Sequence, residues 1–247
     1  MIFMKLIAIG DIHGQFDNLI KLTDILLKDY SDHKIVFLGD YVDKGNKSAE
    51  VLDYLISLKN NHGNKIKFLA GNHEVMFLSA ITNFEHPNTS KWIKGGGGLE
   101  TLESYGWDRF DPFNLSMIPI KHKQFLEDLD LLHETKNAIF VHAGLNPNKK
   151  LSEQSPKDLL WIREKFNNSK KQWNKTIIHG HTPQYKKFPV ISKYNRINLD
   201  MGAGTRGDIG AIIINKDELK FIVSSKKGLR EKTLKPKKID NAYVLKI

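Results

Sequence analysis

Short apolar runs alternate with amphipathic stretches along the first third of the chain. The runs MKLIAI, KIVFL and KIKFLA have the length and apolar content of buried strands. Each run ends in a polar turn, and the segment after the turn carries apolar residues at helical spacing, as in FDNLIKLTDILLKDY. A strand, a turn and a helix repeated in this order predict parallel strands joined by βαβ crossovers.

The rest of the chain adds an insertion and a second, strand-rich part. Residues 84–116 interrupt the rhythm with glycines, aromatics and prolines, which predicts an insertion over one end of the sheet. HKQFLEDLDLL and DLLWIREKF predict helices, NAIFV and KTIIH predict strands, and short strands dominate after Pro189. The expected fold class is α/β, with one domain over residues 1–247 built from two mixed sheets flanked by helices.

Composition narrows the classes of protein. The 247 residues include no cysteine, which excludes disulfides, thiolate metal sites and cysteine nucleophiles. The apolar start is short for a signal peptide, and no run approaches the roughly 18–20 apolar residues of a membrane span. We therefore expect a cytoplasmic protein without a membrane partner.

The chain is basic, with a formal net charge of +10. Its lysines are spread along the whole length, which favours a solvated surface over specific nucleic-acid binding. The densest cluster lies in the C-terminal segment 224–247, and its composition predicts a solvated, mobile segment rather than a binding arm.

Five turns follow predicted strands and carry the residues capable of chemistry. The turns are GDIHG, GDYVDKG, GNHE, VHAG and HGHT. The carboxyl ends of strands are where open α/β sheets bind ligands. The polar residues offered there are Asp11, His13, Asp40, Asp43, Asn72, His73, His142, His179 and His181.

Oxygen and imidazole donors without thiolates suit a divalent ion such as manganese, iron or zinc. About six ligands exceed what one catalytic ion with an open position needs, and they fit two ions that share a carboxylate. Each turn alone has a simpler reading, because Asn72 and Glu74, for example, also suit the start of a helix. Only the whole set predicts a metal centre.

The ordered set of turns resembles the calcineurin-like metallophosphoesterases. Within them it is similar to the phosphoprotein phosphatase branch, which contains serine/threonine phosphatases and symmetrical diadenosine tetraphosphatases. The resemblance runs from Lys5 to about Ile214, and WIKGGGGLETLESYG, LLWIREKF and NRINLDMGA are similar to stretches of small bacterial members. It implies a metallophosphoesterase sandwich and a hydrolase of phosphate esters.

The resemblance also implies ligands for two divalent ions, with manganese first and iron, zinc, nickel or magnesium as alternatives. These ligands are Asp11, His13 and Asp40 for one ion, and Asp40, Asn72, His142 and His181 for the other. His179 has no ligand counterpart in this branch, and we expect it at a strand end behind the ligands.

Two dications with two carboxylate ligands would attract a phosphate dianion and lower the pKa of a shared water. The implied reaction is in-line attack on phosphorus by a hydroxide that bridges the ions. His73 is the implied general acid, and Asp43 would hold its imidazole in the correct tautomer.

Phosphate oxygens need further positive donors. Arg163 matches a family arginine that clamps phosphate, and Lys44 and Asn72 are the other residues expected to bind substrate. Lys44 and Ala70 stand where relatives have arginines, which predicts looser phosphate binding. No Gly-Lys-Ser/Thr follows the glycines at 95–98, so a nucleotide P-loop is excluded, and we expect a flexible loop beside the site.

Two questions stay open at this stage. Trp92 and Tyr105 suit contact with substrate and local packing of the insertion equally well. The leading function is a serine/threonine protein phosphatase acting on phosphoproteins or phosphopeptides. The alternatives are a dinucleoside tetraphosphate hydrolase or other phosphodiesterase with a nucleotide substrate, and a non-catalytic binding protein on the same scaffold.

Overall fold

The computed structural model describes residues 5–110, 114–216, 218–235, 237–239 and 242–246. Its strands are β1 Leu6–Ile9, β2 Lys34–Phe37, β3 Ile66–Phe68, β4 Leu132–Glu134, β5 Ala138–Val141, β6 Thr176–His179, β7 Val190–Ser192, β8 Arg196–Asn198, β9 Ile209–Ile214, β10 Leu219–Ser225, β11 Gly228–Leu234, β12 Lys237–Ile239 and β13 Ala242–Lys246. Its α-helices are α1 Phe16–Asp29, α2 Ser48–His62, α3 Asn72–Thr82, α4 Pro87–Lys91, α5 Gly98–Ser104, α6 Ile120–Glu127, α7 Pro156–Trp161, α8 Glu164–Asn167 and α9 Ala203–Arg206.

Two mixed sheets form the centre of the molecule. The first has the order β11-β10-β9-β1-β2-β3, and the pairs β1–β2 and β2–β3 are parallel, as the repeated strand, turn and helix predict. The second has the order β4-β5-β6-β8-β7, with parallel pairs in its middle. The remaining strands, β12 and β13, form an antiparallel pair.

The sheets pack face to face because their strands are apolar on both sides. In β1, Leu6 and Ala8 point into the layer between the sheets, where they meet Phe140 of β5. Ile7 and Ile9 point the other way into the core beneath α1, α2 and α3. A third apolar cluster covers the outer face of the second sheet with α7 and α8. The predicted α/β sandwich flanked by helices is confirmed.

One predicted helix is broken in the structure. DLLWIREKF forms α7 and α8 with two residues between them, of which Ile162 is extended (ψ 137°) and Arg163 has φ −128° and ψ −97°. The apolar spacing looks continuous because Leu160 and Phe166, on either side of the break, are both buried.

The C-terminal segment also differs from its prediction as a mobile segment. Gly228–Leu234 forms β11 and pairs with β10 along its whole length. Charged side chains such as Glu231 and Lys232 are exposed along this edge strand, which is how natural sheets discourage further pairing. Residues 236, 240, 241 and 247 of this segment lie outside the described part of the chain.

The insertion forms two short helices, α4 and α5, around a turn of π-helix at Trp92–Gly96. Of the glycines predicted to form a flexible loop, Gly97 and Gly98 are packed instead, whereas Gly95 is exposed. A Cβ at Gly98 would lie 2.3 Å from the Trp92 ring, and the carbonyl of Gly97 accepts a hydrogen bond from the Lys44 backbone. Residues 111–113 of the insertion lie outside the described residues.

Candidate active site

Polar side chains from both sheets meet at the carboxyl ends of their parallel strands. They follow β1, β2 and β3 in the first sheet and β5 and β6 in the second. All of them are buried. The residues are Asp11, His13, Asp40, Asp43, Asn72, His73, His142 and His181.

The turns that carry these side chains adopt an unusual backbone conformation. Positive φ angles occur at His13 (48°), Asp40 (55°), Asp43 (73°), Lys44 (67°) and His181 (66°). Left-handed φ is costly for residues other than glycine and persists only where the surroundings enforce it. Within the described residues, one further non-glycine residue, in a β-turn before β8, has a positive φ.

Glu74 enforces the turn at Asp40. Its buried carboxylate accepts hydrogen bonds from the backbone nitrogens of Asp40 and Tyr41, each at 2.7 Å, and of Gly71 at 2.8 Å. Gly71 is needed at its position, because a Cβ there would lie 2.1 Å from Asp40 Oδ1. From the sequence, Glu74 was expected only to stabilise the start of a helix. Its hydrogen bonds to Asp40 and Tyr41 depend on how the start of α3 lies against the turn after β2.

Asp40 belongs to two groups of potential metal-binding atoms. His13, Asp40 and His73 form one, and Asp40, His142 and His181 form the other, with all atoms of a group within 4.8 Å of one another. Asp40 Oδ1 lies 3.3 Å from His142 Nε2, whereas Oδ2 lies 3.5 Å from His13 Nε2. The two oxygens of one carboxylate therefore face different groups.

Backbone carbonyls orient the histidines of these groups. His13 Nδ1 donates to the carbonyl of Val42 at 2.9 Å, and His142 Nδ1 donates to that of Leu38 at 3.0 Å, so each Nε2 points toward Asp40. Burial lowers the pKa of His13 to about 3 and also lowers the pKa of His142. Neutral imidazoles with a free Nε2 lone pair are the form that binds metals.

His142 Nε2 also approaches two other potential ligand atoms. It lies 3.1 Å from Asn72 Oδ1 and 3.2 Å from His181 Nδ1. The pKa of His181 is lowered to about 3, mainly because the ring is buried and further because His142 and Arg163 disfavour a second positive charge nearby. An amide oxygen, two imidazoles and a carboxylate converge here, and this donor set fits a divalent cation.

Asp11 lies outside both groups but contacts the second through the backbone. Its carboxylate accepts a hydrogen bond from the His181 nitrogen, at 3.1 Å to Oδ2. Burial and the neighbouring carboxylates of Asp200 and Asp40 raise its pKa, and burial raises the pKa of Asp200 to about 6. Several buried carboxyl groups this close together need positive charge beside them, and they fit a site for two divalent ions that share Asp40. The sequence assigned no role to Asp200, although NRINLDMGA contains it.

His73 and Asp43 form a hydrogen-bonded pair beside the first group. His73 Nδ1 lies 2.6 Å from Asp43 Oδ2, and its Nε2 lies 4.0 Å from Asp40 Oδ2. Burial lowers the pKa of His73, but the carboxylates of Asp40 and Asp43 outweigh this effect and raise the pKa overall. The two carboxylates therefore favour the protonated form of the imidazole, with Nε2 as the nitrogen not engaged by Asp43.

The insertion supplies further donors to Asp43. Trp92 Nε1 donates to Oδ2 at 2.7 Å, and Thr101 Oγ1 donates to Oδ1 at 2.7 Å. Trp92 is buried and stacks on Phe77 at 5.7 Å. Tyr105 packs locally, and its hydroxyl lies 2.7 Å from His122 Nδ1.

Four further residues named from the sequence lie around the two groups of potential ligands. The Arg163 side chain donates through Nε to His181 Nε2 at 3.1 Å, and the break between α7 and α8 turns it there. The Lys44 side chain runs directly alongside Gly204, because a Cβ added at Gly204 would lie 2.5 Å from Lys44 Cδ.

The two other residues do not face the ligand groups. His179 packs against Phe166, with 5.0 Å between the ring centres, and Ala70 is buried.

Comparisons with known proteins agree with this geometry. A family model described as calcineurin-like phosphoesterase matches residues 4–211. A zinc-dependent endopolyphosphatase of Saccharomyces cerevisiae is 25% identical over 204 residues, which cover 75% of this chain and 60% of that protein. The serine/threonine-protein phosphatase 2B catalytic subunit A2 of the same yeast is 42% identical over 143 residues, or 56% of this chain and 19% of that protein.

The chain thus spans 60% or less of the length of these two relatives. A solved structure of a proposed diadenosine tetraphosphatase superposes with a TM-score of 0.64 at 20% identity, covering 90% of this chain and 95% of that one. At this identity the likeness concerns the fold alone. None of the described helices combines the length and apolar character needed to cross a membrane.

Proposed function

Because the chain belongs to the calcineurin-like phosphoesterase family and is a metallophosphoesterase, we propose that it removes phosphate from serine and threonine residues of proteins. The observation that carries the proposal is the single carboxylate of Asp40, whose two oxygens face two buried groups of ligands beside the His73–Asp43 pair. As part of the same proposal, the cysteine-free composition supports a cytoplasmic location. The apolar layer shared by the two sheets supports a single domain.

Asp11, His13 and Asp40 would hold one divalent ion, and Asp40, Asn72, His142 and His181 the other. Bound there, the two ions would neutralise phosphate charge and lower the pKa of a water molecule between them. Oxygen and neutral imidazole donors accept manganese, which we propose as the native ion, and they also accept iron, zinc, nickel or magnesium.

His73 would act as the general acid for the leaving oxygen. Its Nδ1 is engaged by Asp43, so Nε2 is the atom that carries the transferable proton. The raised pKa favours the protonated form at the start of the reaction. Asp43 would fix the ring, because its own oxygens are held by donors from Trp92 and Thr101.

Arg163, Lys44 and Asn72 would bind the phosphate oxygens that the ions leave free. Arg163 is exposed at the edge of the centre and contacts the His181 ring, so its guanidinium lies where an entering phosphate would meet it. Lys44 would contribute a point charge in place of a guanidinium fork.

Hydrolysis of a dinucleoside tetraphosphate is the second candidate, supported by the fold shared with the proposed diadenosine tetraphosphatase. The deciding experiment measures kcat/KM in manganese for a phosphoserine peptide and for diadenosine tetraphosphate. Our proposal expects the peptide to be the better substrate. A preference of several orders of magnitude for the nucleotide would replace it with the second candidate.

A further inference from the structure

A pocket of about 190 Å³ lies on the outer face of the second sheet and takes no part in the mechanism above. Three neighbouring strands, β6, β8 and β7, form its floor, with His179 opposite Asn198 and Asn198 opposite Val190. The end of α8 and the turn after β6 form its walls through Asn167 and Thr182. None of the candidate metal ligands is among the described residues that line it.

The pocket contains a buried positive charge without a negative partner. Arg196 of β8 is 4% exposed, and within the described residues no carboxylate forms an ion pair with it. Its Nη1 and Nη2 groups donate hydrogen bonds to backbone carbonyls at the end of α8, those of Phe166, Asn167 and Ser169. Because carbonyls carry no net charge, the charge of the guanidinium stays uncompensated, which is rare for a buried arginine.

The sequence around the pocket contains no acidic residue. All residues that line the pocket lie between positions 165 and 199, and this range has Arg196 and several lysines but neither aspartate nor glutamate. Lys186, Lys187 and Lys193 are exposed on the chain next to pocket residues. A positive potential without nearby acids attracts anions and disfavours cations.

Two hydroxyl groups of the pocket can donate to an oxyanion. Thr182 Oγ1 accepts a hydrogen bond from Asn167 Nδ2 at 3.1 Å, and Ser192 Oγ accepts one from the Tyr194 backbone nitrogen at 3.2 Å. Each hydroxyl proton is therefore available to a ligand. Ser192 Oγ also lies 3.5 Å from Arg196 Nη2, so hydroxyl and guanidinium donors occur together, as phosphate oxygens favour.

The pocket is connected to the candidate active site at two points. Thr182, which lines the pocket, follows His181 directly. The four-residue helix α8 starts after Arg163, and the Asn167 nitrogen donates to the Arg163 carbonyl at 2.8 Å. Arg196 therefore holds the end of a short helix whose start positions the Arg163 guanidinium beside His181.

We propose that this pocket binds a small oxyanion, inorganic phosphate, as an effector that lowers kcat. The inference rests on the proposed phosphatase function, which releases phosphate close to the pocket. A guanidinium bonds more strongly to an anion than to a neutral carbonyl, so bound phosphate would draw Arg196 away from the end of α8. Arg163 would then be held less firmly beside His181, and turnover would slow.

The first test titrates inorganic phosphate into the manganese-loaded full chain by isothermal titration calorimetry. The wild-type protein should bind two equivalents, one at the metal centre and one in the pocket. Ser192→Asp places a carboxylate beside Arg196 and should raise the dissociation constant of the second equivalent about tenfold or more. Ser192→Asn is the matched control, because it has the same size without the charge and should retain both equivalents.

A second variant blocks the pocket by bulk instead of charge. Val190 is 37% exposed at the rim, and the indole of Val190→Trp would fill the space, so this variant should also lose the second equivalent. Ile120→Trp adds the same ring at an exposed position of α6 outside the pocket and should retain it.

Steady-state kinetics with a phosphoserine peptide test the effector role. Saturating phosphate should lower kcat of the wild-type protein and of Ser192→Asn about fivefold, in addition to competing with the peptide at the metal centre. In Ser192→Asp and Val190→Trp, phosphate should compete with the peptide and leave kcat unchanged.

A single equivalent in the wild-type protein, or a second one that survives both Ser192→Asp and Val190→Trp, would overturn the inference, and hydrolysis of the peptide would show that the proposed function stands. Purely competitive inhibition of the wild-type protein would overturn the effector role. Binding of acetate in place of phosphate would assign the pocket to carboxylates and overturn phosphate as the ligand. Loss of the second equivalent in Ser192→Asp without any peptide hydrolysis would support the pocket and contradict the proposed function.

Discussion

At the scale of single residues, the roles proposed for His73 and Asp40 separate proton transfer from metal binding. His73 contacts Asp43 through one ring nitrogen and faces Asp40 with the other, whereas Asp40 is the member common to both ligand groups. Substitutions at the two positions should therefore fail in different ways.

His73→Asn should retain both ions and lose activity. Removal of a general acid typically lowers the rate by about 10²–10⁴-fold, and we expect kcat on a phosphoserine peptide to fall within this range. Metal content measured by elemental analysis should match the wild-type protein. Asp40→Asn is the contrasting variant, because it should lose metal and activity together. Full activity of His73→Asn on an alkyl phosphate would rule out the acid role.

Trp92→Phe should weaken catalysis without altering the metal centre. The variant keeps a ring that can stack on Phe77 but removes the N–H bond to Asp43 Oδ2, so the His73–Asp43 pair is less well fixed. We expect kcat on an alkyl phosphate to fall roughly three- to tenfold, from the roughly 1 kcal/mol of one hydrogen bond.

Trp173→Phe is the matched control for this experiment, since the buried indole nitrogen of Trp173 has no hydrogen-bond partner among the described residues. It should leave kcat unchanged. If Trp92→Phe raised KM and left kcat untouched, Trp92 would act through substrate contact, the other role that the sequence allowed.

Most of the site residues could be named from the sequence because each follows a strand with a recognisable turn. The bond from Trp92 to Asp43 could not, since it depends on how the insertion folds back over α3. Asp200 was missed for a similar reason. Its neighbour Asp11 follows β1 of the first sheet, whereas Asp200 follows β8 of the second, so only the packing of the two sheets brings their carboxyl groups together.

At the scale of elements, a chain of hydrogen bonds fixes the insertion to the helices around it. The Tyr105 hydroxyl, after α5, bonds to His122 Nδ1 of α6, and His122 Nε2 bonds to Asp53 of α2 at 3.0 Å. The Tyr105 ring also lies 5.8 Å from Phe77, which stacks on Trp92. These contacts connect Asp53 on α2 to Trp92, whose indole nitrogen donates a hydrogen bond to Asp43.

His122 should make the stability of the fold depend on pH. Burial lowers its pKa below the ordinary value of 6.5. Below about pH 6.5 the unfolded chain therefore binds a proton that the folded chain does not, and the free energy of unfolding should fall as the pH drops toward the folded pKa. One such proton contributes a slope of at most about 1.4 kcal/mol per pH unit.

Urea unfolding at several pH values between 7.5 and 5 checks this prediction. His122→Gln should flatten the dependence relative to the wild-type protein. His62→Gln, at the end of α2 and outside the chain of bonds, should not. Identical slopes for the wild-type protein and His122→Gln would contradict it.

The helices and strands themselves were largely predictable, because apolar spacing reports burial directly. The exception between α7 and α8 shows where this reasoning fails. Apolar residues on either side of a break can keep a helical spacing, and Ile162 and Arg163 leave the helix although nothing in their residue types forbids it.

At the scale of the whole molecule, the potential ligands come from both sheets. Asp11, His13 and Asp40 follow strands of the first sheet, and His142 and His181 follow strands of the second. Bound ions would therefore connect the sheets. Parallel pairing was predictable from the repeated βα units, but the antiparallel pairing of β9 with β1 was not, because it joins segments distant in sequence.

Removal of the ions by a chelator should lower the thermal stability of the protein. Ions present at about 100 times their dissociation constant stabilise a fold by about 2.7 kcal/mol per site. For two such sites in a chain of this size we expect a fall in Tm of roughly 10–20 °C, reversed by added manganese. Differential scanning calorimetry with and without EDTA measures it, and Asp40→Asn should show no response. An unchanged wild-type Tm would contradict the connection of the sheets by ions.

The left-handed turns around the site limit how this protein can be improved. Lys44 has φ 67°, a conformation that glycine adopts without penalty, so Lys44→Gly would relieve local strain while deleting an ammonium group that we propose binds phosphate. Selection for thermal stability alone would favour such a change. Each increase in stability at these turns would then be expected to lower kcat.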